Sequence, residues 1–329
     1  MIRHSPPVLF SLLLGLVVLA AGTATAGTAT AGAAQPAGWS SPAKVPGTRL
    51  LLAVSCPSTT FCMAVGDGDA VAYGGGRWSS PKPIDRNRSE NGGLVTVSCV
   101  SDRFCMAGDG SGDAVGFDGS SWSRPVLVSS AGLAQLSCAT TRFCLALDTN
   151  GDAAVFDGST WSAPRPIPGS SQPLFVACAT SSFCMAIDGN AAGAYRFDGH
   201  RWQTAGQLDV SNPTGGSEPN VGSGVACPSA RFCAALDDFG EAFVWSGSSW
   251  SGPHSFDPAL LTASDAVSCA SARFCQVVDE RGLATAWNGR SWSPARRIDP
   301  TNDNLADVSC PSNGFCVAVD ASGRALYYR

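Results

Sequence analysis

The stretch Ser137-Cys138-Ala-Thr-Thr-Arg-Phe143-Cys144-Leu-Ala-Leu-Asp148-Thr-Asn-Gly-Asp-Ala-Ala-Val-Phe156-Asp-Gly-Ser-Thr-Trp161-Ser-Ala-Pro164 is one copy of a unit that fills most of the chain. Six more copies align with it on a cysteine pair: Cys56 and Cys62, Cys99 and Cys105, Cys178 and Cys184, Cys227 and Cys233, Cys269 and Cys275, Cys310 and Cys316. Together with Cys138 and Cys144 these are all 14 cysteines. The residue before each second cysteine is Phe: Phe61, Phe104, Phe143, Phe183, Phe232, Phe274 and Phe315.

Each unit reads as four short strands. An apolar run ends at the first cysteine, as in Leu94-Val-Thr-Val-Ser-Cys99, and a polar turn leads into a second run, as in Phe143-Cys-Leu-Ala-Leu147. A turn rich in Asp, Asn and Gly follows, and the third strand ends in an aromatic: Tyr73, Phe117, Phe156, Phe197, Trp245, Trp287 or Tyr328. After a tight turn such as Asp157-Gly-Ser-Thr160, a Trp opens the fourth strand: Trp78, Trp122, Trp161, Trp202, Trp250 or Trp292. Four strands in roughly 40 residues is the size of a propeller blade. One blade cannot bury both its faces, but a ring of blades buries them against each other. The predicted fold is all-β, a seven-bladed β-propeller; a β-solenoid has shorter coils and does not need four strands. The seventh unit stops at Arg329 without its Trp strand, while an orphan Trp39-Ser-Ser-Pro42 precedes the first unit. The N-terminal strand is therefore expected to complete the last blade, which leaves no frayed edge.

Ahead of the repeats lies an export signal. Arg3 supplies the positive start, Val8 to Ala21 an apolar stretch too short to span a bilayer, and Ala24-Thr-Ala26 and Ala29-Thr-Ala31 two A-x-A cleavage sites. The preferred division is 1–26 signal peptide, 27–37 linker and 38–329 propeller. No lipid-attachment cysteine follows the apolar stretch, since the first cysteine is Cys56. The mature chain is expected to be secreted and monomeric, in a compartment where thiols oxidise. Charged residues make up 14% of the chain, the net charge is −5, and Lys44 and Lys82 are its lysines, so neither nucleic acid nor an anionic membrane is an expected partner.

Each cysteine is expected to pair with its neighbour across the hairpin, because facing strands bring Cβ atoms to about 4.5–5.5 Å. Zinc is the sharper alternative, but zinc knuckles use tighter Cys-x2-Cys spacing and add a second pair or histidines. No metal or other cofactor is expected. His200 and His254 have no second ligand at metal spacing, and no nucleophile elbow, phosphate loop or zincin helix is present. Asp109, Asp148, Asp188, Asp237, Asp279 and Asp320 recur after the second cysteine, where capping of a turn explains them better than calcium does. Arg103, Arg142, Arg231 and Arg273 recur at the other end of the blades. The chain is expected not to be an enzyme.

For binding, the fifth repeat departs from the rest: Asp237-Asp238-Phe239-Gly240 puts an aromatic at the turn tip. An exposed aromatic there would serve as a binding anchor; folding back onto its own blade is the alternative. The two longest inter-blade connections share its rim, at 82–93 with Arg86, Arg88 and Glu90, and at 203–224 with Asp209. These residues with Phe239 and Asp238 form the candidate binding set.

The unit Ser-Cys-x4-Phe-Cys-x-Ala, followed by aromatic-Asp-Gly-x-x-Trp-Ser-x-Pro, resembles the repeats of secreted actinobacterial β-propellers from Trp39 to Arg329. Within these it is similar to the dispase autolysis-inducing group, which binds thermolysin-like metalloproteases and promotes their self-digestion. The resemblance implies a secreted, non-enzymatic propeller that engages an extracellular protein through one face. A glycan-binding, lectin-like propeller is the second reading. A glycoside hydrolase is the third, because Phe117-Asp-Gly-Ser-Ser-Trp122 is similar to the Asp-box of sialidases, although its Asp and Gly are adjacent where that motif separates them.

All 14 cysteines should be oxidised within repeats. Peptide mapping of the unreduced secreted protein checks this; free thiols or bridges between repeats would overturn the pairing.

Overall fold

A computed structural model describes residues 38–85, 93–208, 222–255, 265–301 and 304–329. The expected signal peptide (1–26) and linker (27–37) lie outside the described residues. The described chain forms seven antiparallel sheets, a seven-bladed β-propeller of four-stranded blades. In blade three the strands Leu133–Thr140, Phe143–Asp148, Asp152–Phe156 and Arg165–Pro166 run in order from the ring's centre outward. The other blades repeat that order.

The cysteine pairing is the expected one in every blade. Cys56 bonds to Cys62, Cys99 to Cys105, Cys138 to Cys144 and Cys178 to Cys184. Cys227 bonds to Cys233, Cys269 to Cys275 and Cys310 to Cys316. Their Cα atoms are 3.9 to 4.1 Å apart. Antiparallel register causes this: Cys138 faces Cys144 directly, and Cys105, Cys184 and Cys275 likewise face Cys99, Cys178 and Cys269. The first strand does not end at its cysteine. It continues two residues further through a bulge, so that Thr140 pairs Phe143 around a two-residue turn. The hydroxyl at that position stops the strand, because Thr140 accepts the N–H of Arg142. Ser58, Ser101, Thr180, Ser229 and Ser271 do the same in their blades.

The outer strand also differs from its expected form. Only Trp202–Gln207 and Trp250–Ser255 are continuous. Elsewhere the Trp makes an isolated bridge or a two-residue pairing, and the ladder resumes as a dipeptide such as Lys82–Pro83 or Val126–Leu127. Proline explains the break, since Pro81, Pro125 and Pro164 have no N–H to donate. The Ser after Trp repairs it. Ser162 donates its N–H to the Val155 carbonyl at 2.8 Å, and its hydroxyl accepts the Val155 N–H at 3.0 Å. Ser40, Ser79, Ser123 and Ser293 make the same double contact.

Neighbouring blades are tied by the residue before the first cysteine. Ser55 accepts the N–H of Cys99 in the next blade at 2.9 Å, Ser98 that of Cys138 at 3.0 Å, and Ser137 that of Cys178 at 2.9 Å. Ser268 reaches Cys310, and Ser309 of the last blade reaches Cys56 of the first, both at 2.9 Å. Between these contacts each blade interface buries aliphatic and aromatic side chains, with Leu145, Leu147, Met185 and Ile187 wholly excluded from solvent.

The N-terminal strand closes the ring. Trp39 bridges Tyr328, Gly38 and Arg329 exchange both backbone hydrogen bonds, and Ala43–Lys44 pairs with Ala325 and Arg324. The Trp39 and Tyr328 rings meet edge to face at 5.7 Å. Such a pair contributes about 0.5–1.5 kcal/mol beyond its area. Removal of 35–42 should lower the melting temperature and raise hydrogen exchange in 315–328 above that of other blades. Unchanged melting and exchange would count against closure by this strand.

Candidate functional site

The turn aspartates cap backbone. Asp109, Asp148, Asp237, Asp279 and Asp320 each accept the N–H groups two and four residues on with one oxygen, at 2.7 to 3.0 Å. Asp188 instead gathers Ser171, Gln172 and Asn190. All six are buried, and burial holds the Asp109 and Asp320 carboxyls above the ordinary range. Among the described residues no cluster of three or more His, Cys, Asp or Glu fits a metal ion.

Phe239 and Asp238 sit together in the blade-five turn, and both are half-buried. The Phe239 N–H goes to the Asp237 carboxylate. Arg86, Arg88, Glu90 and Asp209 lie outside the described residues, so only two members of the candidate set have a described place.

At the opposite end of the blades, arginine stems cover the turn glycines. A Cβ on Gly158 would come within 2.9 Å of Arg142 Cγ, and Gly119 and Gly289 stand in the same relation to Arg103 and Arg273. These glycines have φ between +90° and +98°, so both conformation and space demand glycine. The neighbouring acids are also occupied. Asp157 accepts the N–H groups of Thr160 and Ser159, which hold its carboxyl down at about 2, and the N–H groups of Ser121 and Ser120 hold Asp118 lower still. A glycosidase acid needs a pKa near its working pH, and these two carboxyls are on the wrong side of it. His200 and His254 are exposed, on a turn and an outer strand.

Two clefts open between blades at equivalent positions. The side chain after each second cysteine points toward the next blade, as does the residue before the third-strand aromatic. That second position is Val155, Val244 and Tyr327 in three blades, where it packs into the cluster between blades, and Arg196 in blade four, whose guanidinium donates to Gln203. In blades two and six it is Gly116 and Ala286, and a cleft is left behind. Blade one has Ala72 there, packed into the cluster that holds Phe61, Phe117 and Trp122. Between blades two and three the cleft measures about 860 Å³, with Met106 and Val126 on one wall and Phe156 and Trp161 on the other. Val126 and Leu127 are 51% and 65% exposed, the exposed large hydrophobics among the described residues. Between blades six and seven the cleft measures about 470 Å³, with Gln276 and Arg296 facing Trp39 and Tyr328. Sequence reasoning missed both clefts. The signal for them lies in reading one repeat position down all the blades.

A third space is the ring's centre, a cavity of about 180 Å³ lined by all seven first strands. The position three before the first cysteine holds Ala53, Thr96, Gln135, Phe175, Gly224, Ala266 and Asp307. Thr96, Gln135 and Asp307 each accept a backbone N–H from the next blade, Asp307 taking that of Val54 at 2.8 Å. Enclosure among seven strands pushes the Asp307 carboxyl up to about 7, against the pull of the Val54 and Val308 N–H groups.

No family model matches the chain, and no curated protein matches it. Solved structures do. YCF48 bound to D1 peptide is 14% identical with a TM-score of 0.66, covering 88% of this chain and 96% of that one. YCF48 from Cyanidioschyzon merolae is 14% identical with a TM-score of 0.63, over 88% and 98%. The WD40 β-propeller domain of Doa1 is 12% identical with a TM-score of 0.67, over 89% and 97%. At such identities the likeness is one of fold, and the fold is the β-propeller.

Asp307 makes stability depend on pH. Its folded-state pKa of about 7 lies above the ordinary 3.8, so the fold favours the protonated carboxyl. That contribution is complete below about pH 4 and is lost as pH rises through 7. Asp307→Asn keeps an acceptor for the Val54 N–H without the charge. It should melt with wild type at pH 4 and above it at pH 8. Thermal melts with the same pH dependence for both proteins would refute this account.

Proposed function

We propose that this chain is a secreted, non-enzymatic binding propeller that takes an extracellular protein by an extended apolar segment, in the cleft between blades two and three. The carrying observation is the pair Val126 and Leu127, 51% and 65% exposed beside a cleft of about 860 Å³. Four other outer strands are guarded by charge or proline: Lys82–Pro83, Arg165–Pro166, Arg296–Arg297 and, in the closing strand, Ala43–Lys44. Charge and proline at an edge strand discourage pairing with another chain. The Val126–Leu127 edge has neither, and an added strand there would lay alternate side chains against Met106, Phe156 and Trp161. Exposed Arg103 at the mouth favours an acidic residue flanking the apolar segment.

Secretion is supported by the export signal in 1–26, by seven disulfides, and by the lack of any helix among the described residues able to cross a membrane. The resemblance of the repeat unit to secreted actinobacterial propellers of the dispase autolysis-inducing group makes a thermolysin-like metalloprotease the first partner to try. In that reading the propeller, as a monomer, promotes the protease's autolysis. YCF48, a propeller of similar fold, is known with a bound peptide. The blade-five turn bearing Phe239 and Asp238, with Arg86, Arg88, Glu90 and Asp209 as the sequence groups them, is the competing surface for the same partner. A lectin offering the same pocket in every blade is disfavoured by the unlike walls of the two clefts.

Val126→Lys should weaken binding of a thermolysin-like protease by about thirtyfold, the scale of a hot-spot residue worth about 2 kcal/mol. Melting should stay unchanged, since Val126 is exposed. Phe239→Ala should bind as wild type does. Loss on changing Phe239 with full binding by Val126→Lys would move the contact to the other surface.

A further inference from the structure

The cleft between blades six and seven occupies the place of the apolar one but has opposite chemistry. The residue after the second cysteine is Met63, Met106, Leu145, Met185, Ala234, Gln276 and Val317 around the ring. Six of the seven are apolar, as an inter-blade position requires. Gln276 is 2% exposed and borders the cleft; its backbone pairs with Ser268 and Ala286, but its side-chain amide is tied to no described residue. An amide on a cleft wall with no protein partner is open to the donors and acceptors of a ligand. The outer strand changes in step. Val126 pairs Ala114 in blade two, and Arg296 pairs Ala284 in blade six, so both side chains face the same kind of cleft. Arg296 is exposed, with no anionic partner among the described residues, whereas Arg297 is held by the Arg281 carbonyl. The facing wall keeps its aromatics, Trp39 and Tyr328, both partly exposed.

We infer that this cleft, defined by Gln276, Arg296, Trp39 and Tyr328, is a binding site for a carboxylated sugar unit of a glycan. Its roughly 470 Å³ lies in the range of small-ligand sites, about 300–1,000 Å³. The aromatic wall offers apolar surface to the C–H face of a sugar ring. The Gln276 amide both donates and accepts, which suits hydroxyls. Arg296 offers a two-pronged donor matched to a carboxylate. Ala284 and Ala286 form a floor with no side chain long enough to block entry. The site is separate from the apolar cleft, and neither reading depends on the other.

The test uses the secreted full-length protein, titrated calorimetrically with glucuronate and galacturonate oligosaccharides and with their neutral gluco- and galacto- counterparts. Wild type should bind an acidic oligosaccharide at least tenfold more tightly than its neutral counterpart. Arg296→Val and Gln276→Met, which install the blade-two kind of residue, should each weaken binding by roughly tenfold, the loss of one hydrogen bond involving charge or a buried amide. Gln276→Met should not lower the melting temperature, because Met63, Met106 and Met185 fill this position in other blades, and this separates a ligand-binding residue from a structural one. Any of these results would overturn the inference: no saturable binding of either acidic oligosaccharide, equal binding of acidic and neutral ones, or a lower melting temperature for Gln276→Met. A short peptide with a free C-terminal carboxylate serves as competitor; displacement of the acidic oligosaccharide at equal concentration would mean that the site reads a carboxylate alone, and would overturn the assignment to a sugar.

Discussion

The constraint on which this ring rests is the supply of acceptors for the backbone N–H groups of its inner strands, met chiefly by the bond from a cysteine N–H to the serine of the preceding blade. Where seven first strands converge, their inward edges cannot pair with each other as a sheet, yet backbone donors there are shielded from bulk water. The serine before each first cysteine meets that demand in five of the seven interfaces. Ala177 and Ala226 interrupt the series at blades four and five. The disulfide acts one residue later, fixing the first strand to the second, so the serine and the cysteine lock two directions at one point. A blade cannot shift against its neighbour without breaking the serine contact, and the disulfide makes its two inner strands move together.

This inner lock explains why the outer half of each blade is free to vary. Second strands are almost wholly buried in every blade, while the outer strands are short, broken at proline and repaired by a single serine. Stability rests on the inner strands, and the outer ones carry little of it. Substitutions at the outer rim therefore change surface chemistry without disturbing the ring.

What was legible in the sequence follows the same division. The cysteine spacing fixes the hairpin register, because only facing positions reach disulfide distance, and seven copies leave one consistent pairing. Ring closure was legible because a Trp strand is missing at one end and surplus at the other. Strand ends were less so: the apolar run stops at Cys138, but Thr140 caps the turn, and a polar residue that continues a strand looks like one that ends it. Prolines such as Pro125 already marked the outer strand as broken, against the continuous strand expected. Turn chemistry found the tip at Phe239, but the degree of burial of a tip depends on neighbouring blades. The clefts were hidden for a related reason. Each joins side chains of two blades, and their relation appears only once it is known which face of the sheet looks toward which neighbour.

With that orientation in hand, the repeats can be compared as chemical variants of one site. A small residue before the third-strand aromatic makes room for a cleft: Gly116 and Ala286 line one each, and Val155, Val244 and Tyr327 pack into the interface instead. Smallness is not sufficient, since Ala72 lies in a packed cluster. The residue after the second cysteine and the outer dipeptide then decide the polarity of the cleft. Tyr327 illustrates closure, its hydroxyl accepting the Trp78 indole N–H at 2.7 Å across the last interface. Two side chains on two strands suffice to turn an apolar cleft into a polar one, Met106 and Val126 against Gln276 and Arg296. Both positions lie outside the serine–cysteine lock, so such changes leave the ring intact. A symmetric framework thus yields unlike binding surfaces without any change of fold, and the positions where the repeat is broken in an interior face are the places to look for ligands.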